Sequence, residues 1–100
     1  MVKYNKLVRD KIPEILDKKG ISYEKRVASG EEYKVELIKK LEEEAGEFSN
    51  AGDSEELADV IEVLEALKKL PDYKNVEELR RKKFEEKGGF TQRIIVKGEK

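Results

Sequence analysis

The 100-residue sequence contains no cysteine, no histidine and no tryptophan, and it has only two prolines. Without cysteine there are no disulfides and no thiolate metal sites, and without histidine as well, a metal site must use oxygen ligands. The N-terminus does not resemble a signal peptide, and no apolar run approaches membrane-spanning length. We therefore expect a single cytoplasmic domain, residues 1–100, with no membrane partner.

Basic residues are missing from one long stretch of the chain. Residues 41–67 contain ten aspartates and glutamates and no lysine or arginine, whereas the other residues have 22 basic and 13 acidic side chains. A protein with a net charge of only −1 is thus polarised along its sequence. The acids form either a solvated face or a cluster that binds something positive.

Charged residues make up 45% of the chain and hydrophobic residues 37%, so we expect a core that is adequate but not generous. The prevalence of lysine and glutamate is typical of proteins from hyperthermophiles. The basic run at residues 80–83 is flanked by glutamates, and the overall pI is about 5.7. A solvated helix face explains this run better than binding to a nucleic-acid polymer.

Hydrophobic periodicity and capping residues predict an all-α fold, a helical hairpin or bundle of about four helices with two short peripheral strands. Leu7 and Val8 are candidates for docking on the core. Capping boxes at residues 29–32 and 53–56 open the second and third helices, and Pro71 terminates the third. The predicted helices are residues 10–19, 30–50, 53–70 and 75–87, and the predicted strands are residues 21–27 and 91–97.

Two acidic residues on each of the two central helices are expected to face inward or nearly so. At about 100° per residue, Glu44 lies within the apolar stripe of its helix and Glu47 just off the edge. On the next helix, Glu56 lies within the stripe and Asp59 at its border. The short break around Gly52 favours antiparallel packing, so both pairs should stand at similar heights above the turn. Buried carboxylates need a positive partner, and oxygen ligands suit Mg²⁺ or Mn²⁺.

Each acid also has a purely structural explanation. Glu44 and Glu47 are compatible with a charged helix whose acids happen to cross the edge of the stripe. Glu56 is explained by its place as the last residue of a capping box, where a glutamate side chain bonds back to the helix start. Asp59 is the least expected on structural grounds, because aspartate is a poor helix former one turn inside a helix.

The pattern Glu44-Ala-Gly-Glu47 followed by Glu56-Leu-Ala-Asp59 resembles the ExxE…ExxD motif of the all-α nucleoside triphosphate pyrophosphohydrolases. The segment from Tyr4 to Pro13 (YNKLVRDKIP) and the later KGGF at residues 87–90 are similar to the two ends of a small MazG-like branch. That branch is often labelled phosphoribosyl-ATP pyrophosphohydrolase-like. The resemblance extends over nearly the whole chain.

The resemblance implies a homodimer or higher homo-oligomer that uses Mg²⁺, with Mn²⁺ as a substitute, to cleave a nucleoside triphosphate into monophosphate and pyrophosphate. Glu44, Glu47, Glu56 and Asp59 would be the metal ligands, and Glu44 or Glu47 would also orient the attacking water. The substrate phosphates need cations from the protein, and the candidates are Lys6, Arg9, Lys40 and Arg93.

Two other functions remain open from the sequence: a non-catalytic helical oligomerisation or regulatory module, and a nucleotide sensor that binds without turnover. The substrate base is not identified by the sequence. The aromatic residues that are candidates for contacting it are Tyr4, Tyr23, Tyr33 and Phe90.

Overall fold

A computed structural model describes residues 5–98 of the chain, and within this range all regular structure is helical. The all-α prediction is therefore confirmed for these residues. Tyr4, the first residue of the N-terminal motif, lies outside the described range. The elements are α1 (Ile12–Lys18), α2 (Gly30–Ala51), α3 (Ser54–Lys68), a 3₁₀ turn (Pro71–Tyr73) and α4 (Val76–Lys87).

The two central helices begin where their capping residues predict. The Ser29 hydroxyl accepts a hydrogen bond from the Glu32 N–H at 3.3 Å, and the Asp53 carboxylate accepts one from the Glu56 N–H at 2.9 Å. Each bond satisfies an N–H group that has no partner inside the helix. Gly52 ends α2 with a φ of 67°, a left-handed conformation that glycine adopts without strain. The connection between α2 and α3 is therefore only two residues long.

Helices α2 and α3 pack against each other and enclose the core. Leu37 of α2 and Val63 and Leu67 of α3 are its buried apolar side chains. Leu7 packs against this cluster from the N-terminal segment, as the sequence predicted, whereas Val8 is exposed. The hairpin fixes the C-terminal end of α2 beside the N-terminal end of α3, and this is where the acidic residues lie.

The chain is extended for its length. The radius of gyration is 17.9 Å, compared with about 13 Å for a compact domain of 100 residues. Large apolar side chains remain exposed on both central helices, among them Ile61 at 49% and Val35 at 51%. The described hairpin therefore buries only part of its apolar surface. No helix within residues 5–98 is long and apolar enough to cross a membrane.

The two predicted strands are absent from the described residues, and that prediction is wrong. Residues 21–27 and 91–97 alternate in polarity, but neither segment has a sheet partner, and a lone extended segment leaves its backbone groups unpaired. Val27 and Ile95 are 97% and 94% exposed. The first segment is instead tied to α1 through Tyr23, whose hydroxyl lies 2.8 Å from the Asp17 carboxylate.

Candidate metal centre

Three carboxylates from the two central helices converge at the closed end of the hairpin. One oxygen each from Glu44 of α2 and from Glu56 and Asp59 of α3 lie within 4.8 Å of one another. Glu44 reaches this point because it lies on the apolar stripe of α2. It comes four residues before Phe48, whose carbonyl accepts a hydrogen bond from the Gly52 N–H at the end of the helix. Glu56 and Asp59 are three residues apart, so they share one face of α3. Glu44 is buried and Glu56 and Asp59 are partly buried, in keeping with their predicted positions on the apolar stripes or at their border.

Within residues 5–98, the cluster contains buried oxygen atoms without a hydrogen-bond partner. Glu44 is only 8% exposed, and its Oε2 atom has no partner; Oε2 of Glu56 is also buried and unpaired. The other oxygen of Glu44 lies 3.5 Å from the Lys40 ammonium nitrogen. Buried polar atoms are nearly always satisfied in folded proteins, and a carboxylate is costly to leave without a partner. Among the described residues, the Oε2 atoms of Glu44 and Glu56 thus lack a positive or hydrogen-bonding partner.

The pKa values of Glu44 and Glu56 reflect their burial and the negative charges around them. Burial raises the pKa of Glu44, and the negative charge of Glu47 raises it further, whereas Lys40 partly opposes the shift. Burial also raises the pKa of Glu56, again with a contribution from Glu47. The folded protein therefore holds these carboxylates in a setting that disfavours their charged forms. A cation at the cluster would reverse that preference.

The capping explanation of Glu56 accounts for only half of what the structure shows. The Asp53 side chain caps the helix by accepting from the Glu56 N–H. The reciprocal bond, from the Asp53 N–H to the Glu56 carboxylate, is not formed among the described residues. One Glu56 oxygen is instead buried and unpaired. The side chain is therefore available as a ligand, while its backbone serves the cap.

Glu47 is not part of the group of three. It is exposed, in keeping with its predicted position just off the edge of the α2 stripe. Its charge nevertheless raises the pKa of both Glu44 and Glu56, which places it close to the cluster. Glu47 is thus a peripheral member in this conformation, and its role as a fourth ligand stays a prediction.

Three of the four predicted phosphate-binding cations lie beside the acidic cluster. Arg9 Nη2 is 2.6 Å from Asp59 Oδ1, and Lys6 Nζ is 2.8 Å from Glu43 Oε1. Lys40 Nζ lies between Glu43 and Glu44, at 3.7 and 3.5 Å. These contacts join the N-terminal segment to the face of the hairpin that holds the acids.

Arg93 is not brought to this region. It lies in the exposed C-terminal segment after α4, where its backbone has a φ of 58° and its N–H donates to the Phe90 carbonyl. None of its contacts within the described chain reaches the carboxylates. Its predicted role in binding substrate stays a prediction.

Glu43 is a residue whose role the sequence did not reveal. The helical angle points it away from the core, yet Lys6 and Lys40 both contact its carboxylate. The hydrogen bond from Lys6 holds the pKa of Glu43 below its ordinary value. The spacing from Lys40, three residues earlier on α2, was the one sequence feature that could have indicated this pairing.

A cleft runs between the N-terminal segment and the hairpin. Its walls include Arg9, Lys40, Glu44 and Asp59, so positive and negative groups face one space. Tyr33 is the aromatic candidate that lines this cleft. By contrast, the Tyr23 hydroxyl is bound at α1 and Phe90 is 98% exposed, while Tyr4 lies outside the described residues.

No family model, no curated protein and no solved structure matches this chain. The likeness to the all-α nucleoside triphosphate pyrophosphohydrolases therefore rests on its motifs. The chemistry of the site suits a hard divalent cation, since every candidate ligand is a carboxylate oxygen and two of those oxygens lack a partner.

Proposed function

We propose that this protein is a Mg²⁺-dependent nucleoside triphosphate pyrophosphohydrolase of the all-α, MazG-like type. Its reaction would cleave the bond between the α and β phosphates and release nucleoside monophosphate and pyrophosphate. Suitable substrates are non-canonical nucleotides, whose removal protects the nucleotide pool, or a nucleotide that resembles phosphoribosyl-ATP. The site of action would be the cytoplasm.

The observation that carries this proposal is the convergence of Glu44, Glu56 and Asp59 with two buried, unpaired oxygen atoms. An ordinary solvated acidic face would keep its oxygens in water and would not raise the pKa of its members by burial. A divalent cation bound to these oxygens would supply the missing positive charge. Glu47, whose charge acts on both Glu44 and Glu56, would join as a fourth ligand.

The residues of the acidic cluster and of the adjoining cleft can be assigned complementary tasks. Glu44, Glu56 and Asp59 would hold Mg²⁺, which supplies charge neutralisation at the phosphates and lowers the pKa of a coordinated water. Lys40 and Arg9 lie in the same cleft and would bind phosphate oxygens. Glu44 or Glu47 would accept a proton from the attacking water as its oxygen bonds to the α-phosphorus. The bond from that phosphorus to the bridging oxygen breaks, and pyrophosphate leaves with the electron pair.

The proposal is tested by incubating the purified protein with a panel of ordinary and modified nucleoside triphosphates in the presence of Mg²⁺. Pyrophosphate and orthophosphate are measured separately, and a parallel reaction contains a chelator in place of Mg²⁺. We expect metal-dependent release of pyrophosphate from at least one nucleotide. Release of orthophosphate alone would indicate stepwise removal of the γ-phosphate, which is a different reaction.

Two alternatives share the same site. A nucleotide sensor would bind Mg²⁺ and nucleotide without releasing either product, so binding without turnover across the panel would favour it. A non-catalytic oligomerisation or regulatory module would bind neither. The exposed apolar surface of the hairpin is the observation that supports this second alternative, although a catalytic oligomer needs the same surface.

We also propose that the protein is a homodimer or a higher homo-oligomer formed through the hairpin. Three apolar side chains are buried in the described chain, whereas Ile38, Ile61 and Leu64 remain about half exposed along one groove. A second copy offers the same apolar surface, which suits a symmetric interface. Light scattering coupled to size exclusion should give at least twice the 11.6 kDa chain mass. The variant Ile61→Glu should shift the population toward monomer.

A further inference from the structure

We infer that Arg9 and a divalent cation are alternative partners of Asp59, so that metal binding transfers the Arg9 guanidinium from Asp59 to the anion-binding part of the cleft. The inference rests on the metal site in the proposed function and adds a coupling between metal and anion. Arg9 would thus pair with Asp59 before the metal binds and would bind phosphate afterwards.

The contact at Asp59 puts Arg9 and a bound cation in competition for the same carboxylate. Arg9 Nη2 lies 2.6 Å from Asp59 Oδ1, which is a close charge-assisted hydrogen bond. The same carboxylate has an oxygen within 4.8 Å of the Glu44 and Glu56 oxygens. A divalent ion held among the three acids would therefore sit close to the guanidinium, and the two positive charges repel. Arg9 fills part of the charge deficit that the unpaired oxygens of Glu44 and Glu56 reveal.

Arg9 is also the cation that can leave at little cost. Its side chain is 56% exposed, and exposed ion pairs contribute little to stability. It belongs to the irregular segment before α1 rather than to a helix of the hairpin. Lys40, by contrast, is fixed on α2 and shares its ammonium between Glu43 and Glu44 at longer distances.

A released guanidinium would remain in the cleft. Leu7, two residues earlier, packs against the core, and Arg9 itself lines the cleft with Lys40. The planar fork of arginine matches two oxygens of a phosphate group. Metal binding would therefore create a phosphate-binding group at the moment when the metal itself becomes available to the substrate.

The first test compares metal affinity by calorimetry for the wild-type protein, Arg9→Gln and Arg26→Gln, using Mn²⁺ without nucleotide. Arg26 is the matched control, because its exposed guanidinium binds the Glu32 carboxylate at 2.6 and 2.5 Å outside the cluster. Removing a competing exposed ion pair should tighten metal binding by about 1.5- to fivefold in Arg9→Gln. Arg26→Gln should bind like the wild type.

The second test separates direct competition from a general effect of charge. Nitrogen-15 NMR of the arginine side chains follows the Arg9 Nε–H resonance, assigned from its loss in Arg9→Gln, as diamagnetic Mg²⁺ is added. We expect this resonance to move toward the position of a free arginine in step with metal occupancy. The Arg26 resonance should stay in place.

The outcomes separate the inference from the proposed function. If the wild type and Arg9→Gln bind metal equally, or if the Arg9 resonance does not move at saturation, the inference is overturned while the metal site stands. If neither protein binds Mn²⁺ or Mg²⁺, the metal site of the proposed function fails and the inference fails with it. Tighter binding by Arg9→Gln together with a moving Arg9 resonance supports the inference.

Discussion

The starts of α2 and α3 have nearly the same sequence chemistry, but their glutamates meet different surroundings. In both, a capping side chain accepts a hydrogen bond from the N–H of a glutamate three residues later. Glu32, at the start of α2, binds Arg26 through both carboxylate oxygens, and this lowers its pKa. Glu56, at the start of α3, has a buried unpaired oxygen and a raised pKa.

The difference shows that a helix cap depends only on residues close in sequence, whereas the acidic cluster depends on how two helices pack. The start of α2 projects toward solvent, where a nearby arginine can reach its glutamate. The start of α3 faces the acidic end of α2, so Glu56 lies near Glu44 and Glu47, and no arginine of residues 5–98 is paired with it. The same backbone hydrogen bond forms in both places. What changes is the charge near the carboxylate, which comes from Arg26 in the segment before α2 in one case and from acids on α2 in the other.

The largest effect should come from exchanging each glutamate for glutamine. Both caps use the backbone N–H of the glutamate, which glutamine keeps, so neither variant should unfold. If Glu56 is a ligand, Glu56→Gln should reduce pyrophosphate release by at least about 100-fold. Loss of a residue that only hydrogen-bonds to a metal ligand already lowers activity by about 10–100-fold. Glu32→Gln should stay within about twofold of the wild type, since that residue lies outside the cluster. Initial rates at saturating Mg²⁺ provide the measurement.

Equal rates of pyrophosphate release by the two variants would contradict the distinction drawn between Glu56 and Glu32. It would mean that Glu56 is not a metal ligand and that its unpaired oxygen has no role in chemistry. Circular dichroism of both variants ensures that a lower rate for Glu56→Gln does not reflect unfolding.

The sequence allowed the helices and the inward acids to be predicted, because both depend on local periodicity and on caps. Helix α2 starts at the expected residue, and Glu44 is buried as its helical angle indicates. The strands could not be predicted reliably, because alternation describes the side chains and does not supply a partner for the backbone. Residues 91–97 show this clearly, with Ile94 and Val96 exposed instead of packed.

Contacts between distant segments were also beyond the sequence. Arg9 was a candidate for phosphate binding from its motif, but its pairing with Asp59, fifty residues later, depends on how the N-terminal segment crosses the hairpin. Likewise, Glu47 lies so close to the stripe edge that a small rotation of α2 decides whether it joins the cluster. Helical angles predict which face of a helix a residue lies on, but they do not predict whether that residue is a metal ligand.

A second substitution tests the cluster without any capping ambiguity, because Asp59 lies beyond the first turn of α3. Asp59→Asn should weaken Mg²⁺ binding by at least about tenfold. It should also melt no lower than the wild type without metal, since repulsion among the acids is relieved and the lost Arg9 pair is exposed. The measurement is the melting temperature with and without Mg²⁺, which rises by mass action only where metal binds.

Asp72→Asn is the matched control for that substitution, because Asp72 also forms an exposed ion pair, with Lys34, away from the acids. Its melting temperature should rise with Mg²⁺ as in the wild type. An Asp59→Asn protein that responds to Mg²⁺ as strongly as Asp72→Asn would remove Asp59 from the site.

The pH dependence of stability should distinguish the two glutamates by direction. The pKa of Glu56 is raised above its ordinary value of 4.5, so the folded protein binds that proton more tightly than the unfolded chain. Its contribution favours folding as the pH falls toward 4.5 and is lost as the pH rises through the folded pKa. The pKa of Glu32 is lowered, so its contribution is present above 4.5 and is lost as the pH falls below that value.

These opposite signs are read from metal-free denaturation midpoints between pH 3 and pH 7. Glu56→Gln should flatten the profile above pH 4.5, and Glu32→Gln should flatten it below. Addition of Mg²⁺ should suppress the Glu56 contribution, because metal and protons compete for the carboxylate. A profile above pH 4.5 that is unchanged in Glu56→Gln would contradict the burial of an unpaired charge there.

The smallest effects on stability should come from substitutions of the capping residues themselves. The two helix starts are expected to differ only in the charge of the capping side chain. Ser29→Ala and Asp53→Ala each remove one hydrogen bond to a helix N–H, which costs about 1 kcal/mol of unfolding free energy. Asp53 also carries a negative charge that helps to raise the pKa of Glu56. Asp53→Asn keeps an equally good cap and removes that charge, so in the metal-free protein its stability should equal or slightly exceed that of the wild type.

Urea denaturation of the three variants measures these differences. An Asp53→Asn variant as unstable as Asp53→Ala would show that the charge at the start of α3 supports the helix more than it repels Glu56.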